Sequence, residues 1–233
     1  MIRALLIVLF LPAYTLLASL IGYGLARLSG SPALLYGLAR FGIRVALFLA
    51  GTRIVVEGRH LLGDARNTVI VANHVSHLDA PVLLQVLGVD FRAVAKKEVF
   101  YFPVFNGVLR FAGFIEVDRA DRAQATRAIA RAVEALKRGS CFLIFPEGTR
   151  SRTGELGPFK KGGFVVAMDA GSRIVPVAVQ GTRELMPRGG FRIRPGTVRV
   201  RVLDPVMAGS YSYGDRDALV SDVRGRIAAA LAG

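Results

Sequence analysis

The sequence predicts an α/β domain built on a mostly parallel central sheet flanked by helices, with an apolar helical hairpin ahead of it for membrane anchoring. Three observations carry that prediction. Past Gly51, short β-branched runs alternate with helix-period stretches, the pattern of parallel strands joined by helical crossovers. Two long apolar stretches precede that change. The polar clusters of the second part each fall just after an apolar, strand-like run, on the edge where open α/β sheets bind ligands.

With 233 residues the chain can bury one sizeable core. We divide it into an anchoring two-helix segment, 1–51, and an α/β domain, 52–233. Residues 4–26 are apolar throughout, preceded by Arg3 alone, and long enough at helical rise to cross a bilayer core. A cleaved signal peptide is the competing reading, but its apolar region would be unusually long and Ala18-Ser19-Leu20 is a poor cleavage site. After a turn-like Leu28-Ser29-Gly30-Ser31-Pro32 comes a second apolar stretch, 32–50, carrying Arg40 and Arg44 on one helical face. Two arginines at mid-bilayer are costly, so this stretch reads as an interfacial helix with its basic face toward headgroups. Such a hairpin anchors the chain whether or not it spans. An apolar content of 52% and a mean hydropathy of +0.44 agree with membrane contact.

Strands are expected over 53–57, 68–72, 92–95, 114–117, 141–145 and 174–180. Helices are expected over 80–87, 101–111, 123–138, 162–170 and 216–231. The helix at 123–138 puts Ile129, Val133 and Leu136 on one face, with Asp121 before its start, Lys137-Arg138 in its last turn and Gly139 just beyond. The last helix aligns Leu219, Val223, Ile227 and Leu231, with Asp215 and Asp217 at its head. Between them, 191–202 alternates arginine with apolar residues around Pro195-Gly196 and reads as a hairpin, with Arg192, Arg194, Arg199 and Arg201 making a basic face.

A net charge of +14 points to anionic neighbours: phosphates, phospholipid headgroups or nucleic acid. Nucleic acid is disfavoured, because the basic residues are neither interleaved with exposed aromatics nor mounted on a recognition helix. The single cysteine, Cys141 in the apolar run CFLIF, rules out an intrachain disulfide and a multi-cysteine metal site, and reads as a buried thiol. Three histidines, His60, His74 and His77, make a histidine-rich zinc site improbable. Neither GxxxxGK[ST] nor GxSxG occurs, which disfavours nucleotide hydrolysis and a serine nucleophile.

Chemistry concentrates in two clusters. In VANHVSHLD, 71–79, His74 stands five residues ahead of Asp79 directly after a strand. A carboxylate beside an imidazole fixes its tautomer and stabilises the imidazolium formed when a hydroxyl proton is taken. The same spacing also fits a pair that merely caps a turn. Ser76 can open a capping box with Asp79, engaging the carboxylate with backbone amides, and His77 is a second imidazole inside the motif. In FPEGTRS, 145–151, Gly148 permits a sharp turn and Arg150 offers a planar fork that matches a phosphate. Lys160 and Lys161 lie close by, and with Arg119 after the strand at 114–117 they make a pocket suited to a phosphate dianion.

The blocks NHxxxxD (Asn73, His74 and Asp79), GFIEVDR (113–119), FPEGTRS (145–151) and VPVAVQG (175–181), in that order, resemble the glycerolipid acyltransferase family, most closely the bacterial lysophosphatidic acid acyltransferases. The resemblance implies that His74 is a general base taking the proton of the lysolipid's free hydroxyl and that Asp79 orients it. The hydroxyl then attacks a thioester carbonyl directly, with no acyl-enzyme. It further implies that Glu147, Gly148, Thr149 and Arg150 bind the glycerol phosphate, with Arg119, Lys160 and Lys161 assisting, and that the 175–181 block lines the floor or the acyl path. No metal and no cofactor is implied; the co-substrate is an acyl-CoA or acyl-carrier-protein thioester. The partners are a lysophospholipid acceptor, membrane lipids and the acyl carrier protein, and the site of action is the inner membrane with the catalytic domain facing the cytoplasm. Another acceptor, such as a lyso-ornithine-type lipid, keeps the same chemistry, and the arginines could equally hold a diphosphate-bearing donor. A basic membrane- or nucleic-acid-binding protein without catalysis is the alternative of a different class, opposed by the His74–Asp79 pair. The basic face at 191–202 is then either a solvated edge or a contact for anionic lipid or donor phosphates, each charge worth roughly 1 kcal/mol. Phe100, Tyr101, Phe102, Phe105, Phe111 and Phe114 read as core, or as a slot for the acyl chain.

Overall fold

Two apolar stretches separated by Gly30, Ser31 and Pro32 become two antiparallel helices, α1 (Ile2–Ser29) and α2 (Ala33–Ala50). The computed structural model describes residues 2–101, 103–118, 121–187, 189–190 and 193–233. The helices are tied by the Tyr14 hydroxyl, which donates to the Leu38 carbonyl at 2.8 Å. Both are long and apolar enough to cross a membrane by length and composition. Their outward faces stay bare: Leu28 is 86% and Phe48 80% exposed. Arg40 departs from the expected headgroup-facing role. Its guanidinium pairs with Asp90, and its Nε donates to the Leu84 carbonyl at 3.3 Å. Leu84 lies in the last turn of the next helix, where carbonyls lack helical partners and attract cations. The arginine therefore staples α2 to the α/β part.

The strands are β1 (Thr52–Glu57), β2 (Thr68–Ala72), β3 (Phe91–Arg92), β4 (Val94–Lys96), β5 (Ile115–Val117), β6 (Cys141–Ile144), β7 (Arg173–Gln180), β8 (Gly196–Val202) and β9 (Val206–Met207). The main sheet runs β1-β8-β7-β2-β6-β3, with β9 also on β7, while β4 and β5 pair separately. All pairings are parallel except those of β7 with β8 and β9, so the sheet is mostly parallel as expected. β2 is buried on both faces, which explains its unbroken apolar run. Its alternate side chains feed two cores. Val69 and Val71 join Phe142, Phe164, Leu219, Val223 and Ile227; Ile70 and Ala72 join Val82, Leu83, Leu87 and Val177.

The remaining helices are α3 (Asp79–Leu87), α4 (Pro103–Phe111), α5 (Arg122–Lys137), α6 (Gly162–Asp169), α7 (Thr182–Leu185) and α8 (Arg216–Ala232). Asp121 caps α5 by accepting from the Gln124 amide at 3.0 Å. Of the expected stripe of α5, Leu136 is buried and Val133 packs partly buried on the core, but Ile129 does not. Ala128, Ala132, Ala135 and Leu136 face the core, while Ile129 is 39% exposed. Small alanines let the helix lie close on the sheet, and that preference rotates the isoleucine out. On α8, Leu219, Val223 and Ile227 are fully buried, as the spacing requires. Of the expected hairpin at 191–202 only the second strand is present among the described residues: Ile193 and Arg194 belong to no strand, and Phe191 and Arg192 lie outside those residues. β8 is inserted between β1 and β7, so both of its edges are already paired. Arg201 is spent on Glu57 and on the Ala230 carbonyl at the end of α8, while Arg199 stays exposed. The aromatic run is not one cluster either. Phe100 is buried, Tyr101 and Phe105 are exposed, Phe111 packs edge-on against Tyr23 of α1, and Phe102 lies outside the described residues.

Candidate active site

At the carboxyl end of β2 the backbone ladder continues through a side chain. The Asn73 amide donates to the Val179 carbonyl at 2.9 Å and accepts from the Val179 N–H at 2.8 Å, pinning the loop start to β7. His74 follows at once, and α3 begins at Asp79. His74 Nδ1 lies 2.8 Å from Asp79 Oδ2. That oxygen also accepts the Val75 and Ser76 amides, each at 2.8 Å, and Oδ1 accepts the Thr182 hydroxyl at 2.5 Å. Asp79 thus performs both tasks the sequence left open, orienting the ring and capping the turn. Its carboxylate is wholly buried, and four donors compensate the charge that burial would otherwise penalise.

The imidazole stacks on Phe145, ring centroids 4.1 Å apart and planes 16° from parallel. Its side chain remains 21% exposed, and Nε2 has no hydrogen-bond partner among the described residues. With Nδ1–H directed at a carboxylate, the lone pair belongs to Nε2. Such a nitrogen can take a proton from a bound hydroxyl and return it to a leaving group.

The facing wall is the loop after β6. Glu147 is buried, and its carboxylate accepts the His74 amide at 2.7 Å and the Gly157 amide at 3.1 Å. The Ser151 amide in turn donates to the His74 carbonyl at 2.8 Å. Both backbone groups of His74 are therefore held by the Glu147–Ser151 loop. Both Glu147 oxygens serve backbone amides, where the sequence assigns them to a phosphate. A carboxylate would repel a dianion; as a clamp it instead fixes one loop against the other.

Gly148 turns at φ 75, and a Cβ there would sit 2.9 Å from Lys160 Nζ, so the lysine lies across the turn. Thr149 is exposed beside it and Arg150 half-buried. Partial burial first, then the Arg150 guanidinium and the His74 ring, hold the His77 pKa below its usual value. The Ser151 bond to the His74 carbonyl sets the neighbouring Arg150 beside the base loop. Lys161 turns the other way and pairs with Asp217 of α8 at 2.6 Å, a contact that holds the aspartate's pKa down. Arg119 lies outside the described residues; the preceding Asp118 pairs with Lys97 at 2.6 Å. Among the described residues, no three His, Cys, Asp or Glu side chains gather as a metal site requires.

Three participants escaped the sequence reading: Phe145, Thr182 and Arg183. Phe145 stands inside a quoted block and reads as the end of a strand. Thr182 follows the VPVAVQG block directly, and a hydroxyl just past the carboxyl end of β7 was the available signal. Arg183 donates to the Arg152 carbonyl at 2.9 Å and also to that of Thr153, and nothing in the local pattern marks it.

A family model described as Acyltransferase matches residues 53–180. The chain is 35% identical over 182 residues to the chloroplastic 1-acyl-sn-glycerol-3-phosphate acyltransferase LPAT1 of Arabidopsis thaliana, covering 77% of this chain and 49% of that protein. It is 33% identical over 145 residues to a 1-acyl-sn-glycerol-3-phosphate acyltransferase of Borreliella burgdorferi, covering 62% of this chain and 58% of that one. It spans about half the length of the plant relatives it matches. The crystal structure of the 1-acyl-sn-glycerophosphate (LPA) acyltransferase PlsC from Thermotoga maritima is similar at a TM-score of 0.82 and 27% identity, covering 98% of this chain and 95% of that one.

Proposed function

This chain belongs to the acyltransferase family, and from that premise we propose that it moves a fatty acyl group from a thioester donor to the free hydroxyl of lysophosphatidic acid, giving phosphatidic acid. The observation that carries the reading is the His74 ring, its Nδ1 spent on a buried carboxylate and its Nε2 open beside the Arg150 loop. In this reading Nε2 takes the hydroxyl proton as the oxygen attacks the thioester carbonyl. The tetrahedral intermediate collapses by breaking the C–S bond, and the departing thiolate recovers the proton from the imidazolium. Asp79 keeps the tautomer and stabilises the imidazolium. Arg150 and Lys160 hold the acceptor phosphate, with the Gly148 backbone, the Thr149 hydroxyl and Arg119 completing its surroundings. Glu147 contributes by clamping the loops, and Lys161 by its bond to α8.

Transfer between a thioester and an alcohol requires neither metal nor redox cofactor. The donor is an acyl-CoA or acyl-carrier-protein thioester, and the acyl carrier protein, the lysolipid and membrane lipids are the partners. The bare apolar faces of α1 and α2 support attachment of residues 1–51 to the inner membrane, with the catalytic part on the cytoplasmic side.

The test is an acyl-transfer assay on the full chain in lipid, using a panel of lysolipids and both donor types, with products identified by mass spectrometry. Phosphatidic acid should form, and His74→Ala should lose ~10²–10⁴ in turnover. A wild-type protein that acylates no lysophosphatidic acid with either donor would sink the reaction. A folded, membrane-bound His74→Ala protein with near-normal turnover would sink the mechanism.

A further inference from the structure

Helix α7 is only four residues long, yet the segment it opens touches both loops of the candidate site. Gly181 sets it: the residue turns at φ 90, and a Cβ there would lie 2.2 Å from the Thr197 carbonyl oxygen, so the chain swings abruptly off β7. Thr182, fully buried, then donates its hydroxyl to Asp79 Oδ1 at 2.5 Å. Four residues on, the Met186 carbonyl accepts the Ser76 hydroxyl at 2.9 Å. Between them, Arg183 reaches the opposite loop and donates to the carbonyls of Arg152 and Thr153. One short segment therefore grips the loop that carries His74 and the loop that carries Arg150.

The partition of donors on Asp79 makes Thr182 distinctive. Oδ2 receives two backbone amides and the His74 ring, whereas Oδ1 receives only Thr182 among the described residues. A carboxylate anchored through one oxygen can swing in its own plane; anchored through both, it cannot. A base acting at Nε2 needs its proton on Nδ1, and a displaced carboxylate lets the unproductive tautomer in.

We propose that Thr182 and Arg183 are positioning residues, Thr182 holding Asp79 and through it the His74 ring, and Arg183 holding the phosphate loop in register with that ring. The proposal rests on the acyl-transfer reading above. The two residues act on different walls, so their loss separates kinetically. Thr182→Val, nearly isosteric, leaves Oδ1 buried without its donor. It should lower kcat ~10–100-fold, the equivalent of one hydrogen bond to a charged group, with the lysolipid KM within about twofold. Thr182→Ser should restore most of the turnover. Arg183→Ala should raise the lysolipid KM by about tenfold with kcat little changed.

The decisive measurement adds a readout that needs no turnover. Full-length protein carrying ¹⁵N-histidine is examined in lipid nanodiscs, with the His74 signals assigned by their disappearance in His74→Ala. In the wild type, Nδ1 should bear the proton; in Thr182→Val the Nε2–H tautomer should gain population, and in Thr182→Ser it should not. If Thr182→Val does not fold, Thr182→Ala is read in the same way. Wild-type kcat together with an unchanged His74 spectrum in either variant overturns the role of Thr182, and an unchanged KM in Arg183→Ala overturns that of Arg183. Should the tautomer shift in a protein that never makes phosphatidic acid, the positioning of His74 stands and the acyl-transfer reading falls.

Discussion

The two loops that meet at the His74 backbone are finished in opposite ways. In the 73–79 loop most polar groups are turned inward and partnered: the Asn73 amide, the Ser76 hydroxyl, both Asp79 oxygens and the His74 Nδ1, while His74 Nε2 stays open and His77 is exposed. In the 147–152 loop Glu147, the Ser151 hydroxyl and the backbone are tied down, while Thr149, Arg152 and the nearby Lys160 are exposed. A proton acceptor must be held at a set angle, which takes a dry, fully bonded surrounding. In the proposed reaction the cations of the other loop meet a hydrated dianion, and such groups can stay at the surface and be ordered by the ligand itself.

After the loss of His74, the largest effect that breaks this contrast is removal of the clamp joining the loops. Glu147→Ala leaves two shielded amides without acceptors and should cost roughly 2–5 kcal/mol of stability, seen as a lower unfolding midpoint. A midpoint equal to wild type would mean that the loops are held by other contacts. Next, Arg150→Ala should weaken acceptor binding by roughly 1.5–3 kcal/mol, read as a raised lysolipid KM at nearly unchanged stability. The adjacent lysines sharpen the comparison further. Lys160→Ala should raise KM, whereas Lys161→Ala should leave it within about twofold, since an exposed pair such as that with Asp217 is worth ~1 kcal/mol or less. Equal effects from the two would remove the distinction. The smallest effect is electrostatic. Because the Arg150 charge adds to partial burial in lowering the His77 pKa, Arg150→Ala should move that pKa upward in an NMR titration. An unmoved His77 would mean that the guanidinium charge does not reach the base loop.

Much of the fold could be read before any coordinate was known, wherever side chains repeat in a way the backbone imposes. β2 and β7 are continuous apolar runs because both faces of a central strand are buried, and α8 shows its stripe at helical spacing. The reading failed where the deciding partner is far along the chain. Ile129 lost its place on α5 to alanines chosen by close packing on the sheet. The arginines of 191–202 suggested a hairpin, yet β8 took its neighbours from β1 and β7. α7 is too short to carry any period, so Thr182 and Arg183 went unseen.

The site divides along the same line. Residue type and order alone pointed to the imidazole, its carboxylate and the basic loop as the candidate site, and the fold brings the first two within 2.8 Å. Which of two consecutive lysines faces the turn, whether Glu147 meets a ligand or a pair of amides, and what occupies the second oxygen of Asp79 were decided by contacts between residues 10 to 103 positions apart. Sequence spacing encodes which groups can share a helix face or a strand end. Only the folded chain determines which donors fall within hydrogen-bond reach of a buried acceptor, since that depends on how separate elements pack.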